Sequence, residues 1–98
     1  MDEDVLLREA ALAYTIELYR ELTSENGAPT LGTQNQAVDF ILADPQRRRA
    51  VAEWAAVAAI DEATTRPPQR LPQDTLYIEV RTLMERIMAP PVFAEPAG

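Results

Sequence analysis

The chain contains no cysteine, no histidine and no lysine. Each absence removes chemistry. Without cysteine there are no disulfides, thiolate nucleophiles or thiolate metal sites, and nothing points to an oxidising compartment. Without histidine the commonest metal ligand and the usual general base at neutral pH are missing. Without lysine there is no amine nucleophile. Glycine is scarce, with three residues, and none sits in a phosphate-cradling loop. The apolar run Ala55 to Ile60, even with Trp54 before it, is far short of the roughly 20 residues that a membrane helix needs. The opening MDEDVLLREA is acidic where a signal peptide would be basic. These absences predict a cytoplasmic protein without membrane contact.

Carboxylates are the remaining chemical groups. Metal sites in helical bundles draw inward Glu and Asp from several helices, with an i, i+3 ligand pair. The sequence has no E-x-x-E, E-x-x-D or E-x-x-H. Glu17, Glu21 and Glu25 do align at i, i+4, but on one helix, as a solvated edge. No catalytic residue, metal ligand or cofactor is assigned. A carboxylate-based metal enzyme is an alternative for which the sequence supplies no ligand set.

What is present is a chain of 98 residues, 47% hydrophobic. That suits one domain with a modest core. All nine basic residues are arginine, and alanine occurs sixteen times. This bias is typical of G+C-rich coding sequences and suggests a bacterium of that type or a phage. The net charge of −7 is unevenly placed. Residues 1–44 hold nine acids against two arginines, and residues 45–98 hold seven of each. Such acidity repels nucleic-acid phosphates and suits a basic protein surface. Mimicry of DNA is the sharper form of that idea.

Four helices are predicted. The first spans about Asp2 to Ser24, with acids at its positive end and Gly27 as the left-handed residue beyond it. The second, about Gln34 to Ala43, starts from a capping box of Thr33 and Gln36. The third starts at Asp44, with Pro45 in the first helical position, and runs to about Thr64. The proline-rich stretch Arg66 to Gln73 interrupts it. Asp74 then caps a fourth helix, about Thr75 to Met88. The fold class is thus all-α: a small four-helix domain over residues 1–89 with a proline-rich linker before the last helix, and a proline-rich tail over 90–98. Neither the linker nor the tail contains P-x-x-P. Val92 and Phe93 give the tail an apolar anchor, read as folding back onto the bundle or as a docking segment.

At about 100° per residue the helices can be laid out by face. The fourth places Leu76, Val80, Leu83, Met84, Ile87 and Met88 on one side, with Tyr77 at the edge. The third has a face of Val51, Trp54, Val57 and Ala58, with Asp61 at its edge as a partner for Arg47 or another helix. Its other face is a strip of Ala52, Ala56, Ala59 and Ala63, which suits close approach by a neighbouring helix. The first has two stripes. Leu7, Ala11, Tyr14, Leu18 and Leu22 form one; Val5, Leu12, Ile16 and Tyr19 form the other. Thr15 and Arg8 separate them along one edge. A helix apolar on two sides is central in its bundle or feeds an interface.

Arg47, Arg48 and Arg49 stand in the first turn of the third helix, where positive charge is unfavourable. A helix-turn-helix DNA-binding protein would use such a position to reach base edges. Consecutive residues fan around the helix, however, so the three do not form one stripe. The arginines are therefore read as meeting carboxylates: Arg49 with Glu53 one turn on, and Arg47 and Arg48 with the acidic first helix. Together these readings describe a non-enzymatic, acidic, helical protein–protein interaction module, an assembly subunit or inhibitory regulator. Its expected contacts are Val5, Leu12, Ile16 and Tyr19, with Arg47 and Arg48 second. Its partner is another protein or a second copy. The alternative is a DNA-binding regulator using the start of the third helix.

Overall fold

A computed structural model describes residues 2–63 and 71–88, and the side chains of 61–63 are not among what it describes. The tail, with Val92 and Phe93, lies outside the described residues, as does most of the proline-rich linker. Four α-helices and no strand are present among the described residues: α1 (Glu3–Thr23), α2 (Leu31–Leu42), α3 (Pro45–Ala63) and α4 (Thr75–Met88).

The helix starts follow from side-chain caps. The Asp2 carboxylate accepts from the Asp4 N–H at 3.1 Å. Asp44 accepts from the Arg47 N–H at 3.1 Å and Asp74 from the Tyr77 N–H at 3.0 Å. All three bonds satisfy amides that the helix itself leaves without partners. Two boundaries differ from expectation. α2 starts three residues early, because Thr30 rather than Thr33 is the cap: its hydroxyl accepts from the Thr33 N–H at 3.3 Å. Gln34, not Gln36, reaches back, donating to the Pro29 carbonyl at 2.8 Å. The left-handed residue after α1 is Ser24, φ 59°, not Gly27. The Ser24 N–H continues the helix by bonding the Arg20 carbonyl, and the Thr23 hydroxyl accepts from the Glu25 N–H, so the turn closes before the glycine is reached.

α1 packs against all three other helices, most extensively α2 and α3, while α4 packs mainly on α2. The core joins Ala11, Tyr14 and Leu18 of α1 to Ala37, Val38 and Ile41 of α2 and to Leu76, Val80 and Met84 of α4. α4 thus buries Leu76, Val80 and Met84 of the face its periodicity specifies, together with Tyr77 from its edge, while Leu83 and Ile87 are half-buried and outside the core cluster. Among the described side chains of α3, Val51 alone is in the fully buried core, with Ala50 and Trp54 packed against it. The Trp54 ring meets the Tyr14 ring edge-on, centroids 5.2 Å apart at 86°, a geometry worth about 0.5–1.5 kcal/mol beyond area burial. Among the described residues no neighbouring helix covers the alanine strip, whose last member, Ala63, has its side chain outside what is described. Ala52, Ala56 and Ala59 are exposed, and Val57, expected on the inner face, is 58% exposed. α3 is a lateral helix, while α1 and α2, which pack most extensively on each other, share the centre. Leu71, just before α4, is buried, and its N–H donates to the Glu21 carboxylate at 2.8 Å. That bond ties the approach to α4 to the far half of α1. No helix among the described residues is long and apolar enough to cross a membrane.

Candidate interaction surface

The two apolar stripes of α1 are not separate faces. Thr15, which divides them on a helical wheel, is fully buried. Its hydroxyl donates to the Ala11 carbonyl one turn back at 2.8 Å, so burial leaves its donor satisfied. The buried arc therefore runs from Tyr14 and Leu18 through Ala11 and Thr15 to Leu12 and Tyr19, both partly buried against the core. Ile16 is half-buried but stands outside that cluster. Val5 is 45% exposed, and beside it Leu6, which sequence reasoning passed over, is 49% exposed. The second stripe thus splits: Leu12 and Tyr19 lean into the core, while Val5 and Ile16 mark its outer edge. Arg8 on the same helix faces Asp39 of α2 at 3.9 Å, an exposed contact that contributes little.

The arginines are held inside the chain. Arg47 donates from Nε to the Phe40 carbonyl at 2.8 Å, and its guanidinium lies 3.8 Å from the centre of the Phe40 ring. Its other nitrogen faces Glu79 of α4 at 3.6 Å, with only 18% of the side chain exposed. Arg48 donates to the Leu42 carbonyl at 2.6 Å. Both accepting carbonyls belong to the last turn of α2, whose carbonyls have no partner within the helix. The tight turn at Ala43–Asp44 folds the first turn of α3 back over that end, so two arginines cap the negative pole of α2. Among the described residues the carboxylate that Arg47 meets is on α4 rather than α1, and Arg48 is held by the carbonyl alone. The side chain of Asp61, the other acid considered for Arg47, lies outside the described residues. Arg49 is exposed, and the expected pair with Glu53 does not form.

Tyr14 is the one buried polar side chain without a hydrogen-bond partner among the described residues. Burial raises its pKa well above the usual phenol value, and the negative field of Asp74, with Tyr77 and Glu21, adds to the shift. A buried hydroxyl without a partner costs about 1–3 kcal/mol. Tyr14→Phe keeps the ring against Trp54 and removes that cost, so chemical denaturation should show a gain of about 1 kcal/mol. A loss instead would mean that the hydroxyl is bonded in solution. The unfolded phenol titrates near 10.0 while the folded one holds its proton more tightly. The Tyr14 contribution to stability is therefore complete below that pH and is lost as pH rises toward the folded value. The phenylalanine variant should lack this part of the alkaline decline.

Comparison with protein-family models, with curated proteins and with solved structures finds no match.

Proposed function

We propose that the chain is a non-enzymatic, acidic, helical protein–protein interaction module, acting in the cytoplasm as an assembly subunit or an inhibitory regulator, and that the outer edge of α1 meets its partner. The observation that carries this reading is the exposure of Val5 and Leu6 at the head of α1, with Ile16 two to three turns further along and outside the core cluster. Leu12 and Tyr19 contribute the flank of that edge and share their surface with the core. The missing histidine, cysteine and lysine support a role without catalysis. The internal bonds of Arg47 and Arg48 leave them less free for nucleic acid than a recognition helix requires, and the net charge of −7 opposes it further.

Light scattering of the purified chain across a concentration range tests the self-associating form. A dimer or larger species that Ile16→Glu reduces to monomer, with helicity retained in circular dichroism, is the expected result. A monomer at every concentration excludes a second copy and leaves a different protein as partner. Loss of helicity in the Ile16→Glu variant would show that this edge belongs to the core, and the reading would be abandoned.

A further inference from the structure

We draw no further inference here: the strongest candidate, the open apolar groove between α2 and α4 lined by Phe40, Ile78, Thr82 and Leu83, carries none, because nothing in the structure shows what covers it.

Discussion

Reversing Arg47 and Arg48 to glutamate should destabilise the fold by roughly 2–3 kcal/mol and lower the melting temperature by on the order of 10–15 °C. Each arginine gives a charged hydrogen bond to a carbonyl of the last α2 turn, at 2.8 and 2.6 Å. Such bonds are worth about 1.5–3 kcal/mol where they are not exposed to water. Arg47 adds its stacking on Phe40 and a half-exposed contact with Glu79. The glutamates would recover part of the loss, because negative charge at the start of α3 is favourable by about 0.3–1 kcal/mol. They would also place like charge beside Glu79. Arg49→Glu is the internal control: the position is exposed and makes no ion pair among the described residues, so its effect should stay within about 0.5 kcal/mol. Thermal melts of the two variants side by side decide the matter. Equal stability would mean that Arg47 and Arg48 do not cap α2 in solution and are free for a partner.

Leu18→Ala should be the more damaging single change, at about 3 kcal/mol. Leu18 is fully buried on α1, in the core that joins the four helices. Truncation removes apolar contact and leaves a cavity that packed neighbours cannot close, which is why such changes cost about 2–5 kcal/mol. Ile16→Ala, two residues earlier, removes as much hydrocarbon from a half-buried site outside the core cluster and should cost about 1 kcal/mol or less. Urea denaturation of both variants measures the contrast directly. If the costs are equal, Ile16 is as buried as Leu18, and α1 has no outer apolar edge to offer a partner. The pair therefore reports on the proposed surface without requiring that the partner be known.

The sequence by itself determined the four helices, their order and several of their starts. Asp44 with Pro45, and Asp74 before Thr75, are local signals that act through their own backbone amides, so no distant contact is needed to read them. The buried face of α4 was equally legible, because a period of about 3.6 residues on an amphipathic helix leaves one arrangement for its apolar side. The start of α2 was misplaced by three residues because Thr30 and Thr33 are both competent caps. The buried Pro29, whose carbonyl accepts from Gln34, favours the earlier one.

Only the tertiary structure decided which apolar faces are used. A helical wheel sorts residues by direction but not by neighbour. It could not show that Thr15 would be buried with its hydroxyl bonded to its own backbone, drawing Leu12 and Tyr19 of the second stripe toward the core and leaving Val5 and Ile16 at its outer edge. Nor could it show that Ala52, Ala56 and Ala59 of α3 would face solvent. The arginines make the same point. Composition marked their charge as a candidate contact, whereas the fold turns two of them onto the carbonyl end of α2. Local backbone chemistry is written within a few residues, while burial depends on which surfaces meet after the chain has turned back on itself.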